Sequence, residues 1–250
     1  LLMPKAKTVW RVSEDGIIRD PSHNLSKMFY MHEVEFFSHY IEKQTKEKEL
    51  SFYKECKQDY NHLYSQIPAD MPFSNIWLAY SLAPHIPKDS VMHYAILNSL
   101  RAWNFFETPH TVRGYSNVGG FGIDGNISAL IGASLCDKNR LYFGIVGDLA
   151  FFYDMNVLGN RHVGNNVRIL LVNNGKGMEF RNYTHPVSRF SDTMVDQYMA
   201  GGGHFGQKSI SLVRHYSENL GYEYMTASNK DDFNKNMERF LIPEITDKPM

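Results

Sequence analysis

The stretch LYFGIVGDLAFFYDMN, residues 141–156, decides the fold. Its apolar part, LYFGIV, stops at the polar pair Gly147-Asp148, and a helical pattern follows. A second apolar run in VRILLVNNGKG, residues 167–177, stops in the same way at Asn173-Asn174. Short, continuously apolar runs are typical of strands that are buried on both faces of a parallel sheet. The two runs therefore predict two buried strands, each of which ends in a polar side chain.

Strands and helices alternate through the rest of the chain after about residue 71. Further strands are expected at 90–97, 111–116 and 222–227, and Lys248-Pro249-Met250 would begin a last one. Helices are expected between the strands, with Ser74 and Ser228 as the capping residues of two of them. This order predicts an α/β fold with a parallel sheet and helices on both of its faces.

The N-terminal part of the chain has a different pattern. Residues 7–12 predict a strand, and helical spacing of apolar residues runs from about 32 to 66. We expect a helical linker over 46–70, and the charge run EKQTKEKE (42–49) predicts a solvated linker or helix face. The Pro-punctuated SQIPADMP (65–72) marks the boundary of a domain over 71–250.

Composition excludes two classes of partner. The chain has 250 residues, with 26 basic and 27 acidic side chains and a net charge of −1. This balance gives no electrostatic footprint for nucleic acid. No apolar stretch approaches the roughly 20 residues of a membrane span. Cys56 and Cys136 form no motif, so we expect packing residues in a reducing compartment and a cytoplasmic protein.

Polar side chains at the ends of two parallel strands predict a ligand site. In open α/β sheets the ligand crevice lies beyond the carboxyl ends of the strands. If the strands are near neighbours, Asp148 and Asn174 face one crevice, and their oxygens suit Mg²⁺ or Ca²⁺ rather than zinc. Leu149 and Ala150 open a helix, whose free N–H groups favour an anion such as a diphosphate. The alternative is that Asp148 only caps this helix and Asn-Asn-Gly only forms a turn.

The sequence around both runs resembles the thiamine-diphosphate-dependent enzymes. Their signature is a Gly-Asp pair followed after about 25 residues by Asn-Asn, each after an apolar strand. The likeness is greatest to the menaquinone-pathway branch, the 2-succinyl-5-enolpyruvyl-6-hydroxy-3-cyclohexene-1-carboxylate synthases. It is carried by LNSLRAW (97–103), SNVGGFGIDGNISALIGAS (116–134) and GDLAFFYDMNVL (147–158). The resemblance starts near residue 73, and residues 1–45 look like the tail of the middle domain of such enzymes.

This resemblance implies a site for thiamine diphosphate and Mg²⁺. Asp148 and Asn174 would give side-chain oxygens to the metal, and Lys176 would give its backbone carbonyl. Ile123 would hold the cofactor in its bent shape, and the carbonyl of Phe121 would bind the 4′-amino group. The other cofactor contacts would be Asn98, Ser99, Leu149, Ala150 and Phe180.

The implied function is that of a decarboxylase or carboligase acting on a 2-oxo acid, as part of a homodimer or homotetramer. In the family, the glutamate that activates the cofactor lies in an N-terminal domain that this sequence lacks. We therefore assign no catalytic residue in the chain and expect it to be inactive alone. The alternative is a non-catalytic relative that keeps the fold as a regulatory or structural partner.

Several positions depart from the synthase pattern. Trp103 and Val118 stand where the synthases carry arginines for substrate carboxylates, and Glu179 replaces an isoleucine near the thiazolium. Arg101 lies about 200° around the helix from Trp103 and so faces elsewhere. An apolar pair cannot replace bidentate carboxylate recognition, which predicts an altered substrate.

A long segment, 181–207, follows the second strand and is Gly-rich at 201–203. Segments of this length are typically lids or disordered. We expect His185, Arg189 and His204 to belong to such a lid rather than to carry out chemistry.

Overall fold

The structure, a computed structural model, describes residues 6–41, 50–68, 70–120, 122–204, 208–209 and 211–250. The chain divides into two compact units, Leu1–Gln66 and Ile67–Met250. The charge run at 42–49 lies outside the described residues. Within the described ranges, no helix is both long and apolar enough to cross a membrane.

The first unit has two short parallel strands and two helices. Strand β1 (Val9–Val12) pairs with β2 (Leu25–Phe29), and α1 (Glu33–Ile41) and α2 (Ser51–Ser65) follow. The strand predicted here is confirmed, and so is the helical pattern over the part of 32–66 that the structure describes. Cys56 on α2 is exposed, as is Cys136 in the second unit, so the expectation that they pack in a core is wrong.

The second unit contains a four-stranded sheet with the order β4-β3-β5-β6. Its strands are β3 (Val91–Tyr94), β4 (Arg113–Ser116), β5 (Tyr142–Gly147) and β6 (Val167–Val172). All pairs are parallel, as predicted. The carboxyl ends of all four strands therefore lie at one edge of the sheet, with β5 between β3 and β6.

Helices cover both faces of this sheet. Strand β5 places its apolar side chains alternately on the two faces, so both faces need to be covered. Phe143 and Ile145 join one core cluster, whereas Tyr142 and Val146 join another. Among the described residues of this unit, the helices are α3 (Asn75–Leu82), α4 (Asn98–Trp103), α5 (Asn126–Ser134), α6 (Asp148–Asp154), α7 (Asp192–Tyr198), α8 (Leu212–Asn219) and α9 (Lys230–Phe240). Short 3₁₀ helices span Ala83–His85, Met155–Gly159, Met178–Arg181 and Pro186–Arg189.

One of the two predicted helix caps is correct. The Ser74 hydroxyl accepts a hydrogen bond from the Trp77 N–H at 3.3 Å and caps α3. The cap of α9 is Asn229 and not Ser228, because the Asn229 side chain accepts from the Asp232 N–H at 2.9 Å. Both residue types are good caps, so the sequence alone did not distinguish these neighbours.

The strand predicted at 222–227 is wrong, because the segment forms no regular ladder. The edge of β6 is instead paired with Met250, whose N–H donates to Val167 O at 3.0 Å and whose carbonyl accepts from the Ile169 N–H at 2.8 Å. The Glu223 N–H donates to Pro249 O at 2.8 Å. A cavity of about 360 Å³ lies beside β6, with an apolar lining that includes Leu171 and Met225.

A fully buried arginine on β6 holds the end of α9. The Arg168 guanidinium donates to Phe240 O at 2.8 Å, Ile242 O at 2.5 Å and Glu244 O at 2.7 Å. Burial lowers its pKa to about 10, so the side chain remains charged at neutral pH. The negative end of the α9 dipole also stabilises a cation at this position.

We predict that Arg168→Met lowers the free energy of unfolding by about 2–4 kcal/mol, because three buried carbonyls lose a charged donor. Urea denaturation measures this. The matched control is Arg214→Met, which removes an exposed ion pair with Glu218 within α8 and should cost under about 1 kcal/mol. Equal losses in the two variants would show that the buried contacts do not stabilise the fold.

Candidate cofactor and metal site

The Asp148 carboxylate contacts two segments at the carboxyl edge of the sheet, the loop after β6 and the segment that carries His204. Asp148 follows β5 directly, and only 3% of its surface is exposed. One carboxylate oxygen accepts from the Leu149 N–H at 2.8 Å. The other accepts from the Gly175 N–H at 2.5 Å and lies 3.0 Å from Nε2 of His204. The N-cap residue of α6 is Gly147, so the reading of Asp148 as a simple helix cap is wrong.

The loop after β6 bends at Gly175, and this bend brings it to Asp148. Gly175 is buried and has a φ of 82°, which a residue with a side chain rarely adopts. Asn174 is exposed, and its amide oxygen accepts from the Lys176 N–H at 3.4 Å. The structure therefore brings Asp148 and residues 174–176 to one edge, but it links them through the Gly175 N–H and not through the Asn174 side chain.

The donors at this edge are oxygens rather than a cluster of acidic side chains. Within the described residues, no group of three or more His, Cys, Asp or Glu side chains is placed to hold a metal. The ligands predicted here, a carboxylate from Asp148, an amide oxygen from Asn174 and a backbone carbonyl from Lys176, would make a set of hard oxygens. Such a set fits Mg²⁺.

The second part of the edge is the start of α4, after β3. Leu97 precedes it with a φ of 68°, a strained conformation for a residue other than glycine. The Asn75 side chain donates to Asn98 O at 3.1 Å and fixes this turn, and Ser99 is buried. The Asn98 amide oxygen faces the loop after β6, where the Asn182 side chain donates to it at 3.4 Å.

Four of the remaining predicted cofactor residues follow the carboxyl ends of β4, β5 or β6. Ala150 is buried in α6, and Leu149 and Ile123 are partly buried. Phe180 is partly buried and packs edge-on against His185, with ring centroids 5.3 Å apart. Phe121 lies outside the described residues.

Trp103 and Arg101 face in different directions, as the helical spacing predicts, but their roles are the reverse of what was expected. Trp103 is buried in the core against Tyr94, so it does not line the site. Arg101 reaches the edge and forms an ion pair with Glu179. Val118 is 54% exposed.

The chain is similar in sequence to a group of curated enzymes. No protein-family model matches the chain. Curated relatives are 2-succinyl-5-enolpyruvyl-6-hydroxy-3-cyclohexene-1-carboxylate synthases. That of Bacteroides fragilis is 29% identical over 98% of this chain and 42% of the relative, and that of Phocaeicola vulgatus is 29% identical over 96% and 41%. That of Christiangramia forsetii is 30% identical over 75% of the chain and 31% of the relative.

A solved structure agrees with the fold. The thiamine diphosphate-dependent 4-hydroxybenzoylformate decarboxylase of Rhodococcus jostii RHA1 matches 73% of this chain and 32% of its own, with a TM-score of 0.54 and 19% identity. The chain is thus similar in sequence to the curated synthases and in fold to a thiamine diphosphate-dependent decarboxylase. It spans less than half the length of these curated relatives.

The segment expected to be a lid is held at the sheet edge by ion pairs. The Asp196 carboxylate accepts from Lys176 Nζ at 2.8 Å and from Arg181 Nη2 at 2.5 Å. These two hydrogen bonds lower the pKa of Asp196. The carboxylate therefore keeps its charge down to a pH below the ordinary pKa of an aspartate. The Gly177 N–H donates to Ala200 O at 2.6 Å.

Sequence patterns did not identify His204 as a residue of the site. It contacts Asp148, and its ring lies 5.3 Å from that of Phe152. The Gly-rich 201–203 stretch before it was a visible signal of a special backbone, and Gly201 and Gly203 do have positive φ values. Nothing in the spacing indicated that this backbone delivers the ring to the end of β5.

We predict that Asp196→Asn loosens this segment, because Lys176 and Arg181 lose their shared carboxylate. The Gly177 amide should exchange with solvent roughly three- to tenfold faster, whereas amides of β5 should not change. Hydrogen-exchange mass spectrometry measures both regions. The control is Asp192→Asn, which removes a more exposed partner of Arg181 and should change exchange less. In the parent, lowering the pH from about 7 to about 5 should not release the segment, because the Asp196 pKa is lowered.

Proposed function

We propose that this chain is the C-terminal, diphosphate- and Mg²⁺-binding part of a thiamine-diphosphate-dependent 2-oxo acid decarboxylase or carboligase. The curated synthases and the family fold support the cofactor class. One observation of the structure carries the site: the buried Asp148 carboxylate at the end of β5 is joined to the loop after β6 by the Gly175 N–H. In our proposal the substrate differs from that of the synthases.

The chain's own residues would hold the metal and the cofactor. Asp148, Asn174 and the Lys176 carbonyl would bind Mg²⁺, a cation that prefers oxygen ligands of this kind. Contacts to the diphosphate would come from Asn98, Ser99, Leu149 and Ala150, and contacts to the cofactor rings from Phe121, Ile123 and Phe180. When bound, thiamine diphosphate supplies the electron sink for decarboxylation of a 2-oxo acid.

The rest of the active site would come from elsewhere in the whole protein. We assign no proton-transferring residue in this chain and propose that the activating glutamate lies in a separate domain. The whole protein would be a homodimer or homotetramer in the cytoplasm. Residues 1–45 would be the tail of a middle domain, and 71–250 the diphosphate-binding domain.

A non-catalytic relative is the second candidate, and one contact favours it. The oxygen of Asp148 that accepts from Gly175 also lies against His204, and a metal at this carboxylate would compete with that ring. A protein that had lost metal binding could keep this contact permanently. Metal-dependent cofactor binding distinguishes the two functions.

We predict that Asp148→Asn in the full-length gene product abolishes Mg²⁺-dependent binding of thiamine diphosphate. The substitution removes the formal negative charge from the proposed ligand set and keeps the size of the side chain. Calorimetry with and without Mg²⁺ measures the affinity. The control is Asp137→Asn, which changes an exposed carboxylate before the start of β5 and should bind as the parent does. Unchanged affinity in Asp148→Asn would exclude this residue as a metal ligand.

The isolated 250-residue chain should not turn over 2-oxo acids, even with Mg²⁺ and thiamine diphosphate. It should also bind the cofactor weakly or not at all, because the contacts proposed here serve the diphosphate better than the pyrimidine. Calorimetry and an assay for carbon dioxide release from pyruvate test both parts. Micromolar binding of the cofactor would show that the phosphate and metal contacts suffice.

A further inference from the structure

A polar cluster bridges helix α4, which follows β3, and the segment after β6. It consists of Asn98 and Arg101 on α4, and of Glu179 and Asn182 in the loop after β6. The Arg101 guanidinium pairs with the Glu179 carboxylate, and the Asn182 amide donates to that carboxylate at 3.1 Å and to the Asn98 amide oxygen at 3.4 Å. Because β3 and β6 lie on either side of β5, the cluster spans the edge that carries Asp148.

Three other basic side chains that could meet a ligand here are neutralised or placed elsewhere. Lys176 and Arg181 are both held by Asp196. Arg113 is the first residue of β4, so it lies at the opposite edge of the parallel sheet. Arg101 is therefore the side chain of this set best placed to meet an anionic ligand. Its side chain is about half exposed, whereas that of Glu179 is 18% exposed.

The Glu179 carboxylate stands where a ligand carboxylate would bind Arg101. It is tethered to the same chain and is oriented by Asn182, so it competes with any free carboxylate at a high effective concentration. A second negative charge next to Glu179 would also be repelled. The Arg101–Glu179 pair thus presents a locally neutral surface to a ligand.

We infer that Glu179 is a specificity-determining residue, which occupies Arg101 and makes the site select 2-oxo acids with one carboxylate over those with a second, distal carboxylate. This inference rests on the proposed function for the identity of the substrate. The ion pair itself disfavours a dicarboxylate substrate, because Glu179 occupies the position on Arg101 that the distal carboxylate would need. Removing its charge should turn Arg101 into a carboxylate-binding residue.

The test measures binding of two unreactive probes, glutarate with two carboxylates and butyrate with one. Calorimetry compares the full-length gene product with its Glu179→Gln, Arg101→Met and doubly substituted variants. Glutamine keeps the size of the side chain and an oxygen that can accept from Arg101 and Asn182, so the substitution removes charge with little change of shape. Glu218→Gln is the matched control, because Glu218 also pairs with an arginine, Arg214, but within α8.

Glu179→Gln should bind glutarate roughly five- to tenfold more tightly than the parent, a modest gain because Arg101 is half exposed. Butyrate binding should not change. The double variant and Glu218→Gln should show no gain. The inference is overturned if Glu179→Gln shows no gain for glutarate, if the double variant keeps the gain, or if butyrate binding rises equally.

These outcomes are separate from those that test the proposed function. The probes need no cofactor and no turnover, so a gain that depends on Arg101 would stand even if thiamine diphosphate did not bind. Conversely, a protein that decarboxylates 2-oxo acids but shows no gain in Glu179→Gln would keep the proposed function and lose this inference. In an active protein, Glu179→Gln should also raise the ratio of kcat/KM for 2-oxoglutarate to that for pyruvate.

Discussion

The hydrogen bond from the Gly175 N–H to the Asp148 carboxylate is the interaction on which the site depends. It closes the end of β5 against the loop after β6, and it needs a glycine because the backbone at this position has a φ of 82°. A buried carboxylate requires partners, and Asp148 finds them in backbone N–H groups and the His204 ring. The other parts of the site are arranged around this closed edge.

Most of the fold could be predicted because its causes are local. Continuous apolar runs identified β5 and β6, and the alternation of strands with helices gave a parallel sheet covered on both faces. The prediction of a strand at 222–227 was wrong because an apolar pattern does not show which segment pairs with β6. In the structure, Met250 occupies that edge. Pairing between distant segments is a property of the tertiary structure and leaves little trace in a single sequence.

The site was predicted in part, for the same reason. Strand ends and spacing correctly brought Asp148 and the 174–176 loop to one edge. They did not indicate that Trp103 turns into the core while Arg101 meets Glu179, because helical spacing gives the angle between two side chains and not which of them faces the sheet. The contact of His204 with Asp148 depends on a long loop whose path no periodicity describes.

The most direct test of the account is the location of a metal in the full-length gene product. Crystals grown with thiamine diphosphate and Mn²⁺, a substitute for Mg²⁺ with a measurable anomalous signal, would show where the ion binds. We predict one ion, held by the Asp148 carboxylate, the Asn174 amide oxygen and the Lys176 carbonyl, with His204 moved away from Asp148. An ion bound elsewhere, or cofactor bound with His204 still on Asp148, would contradict the account.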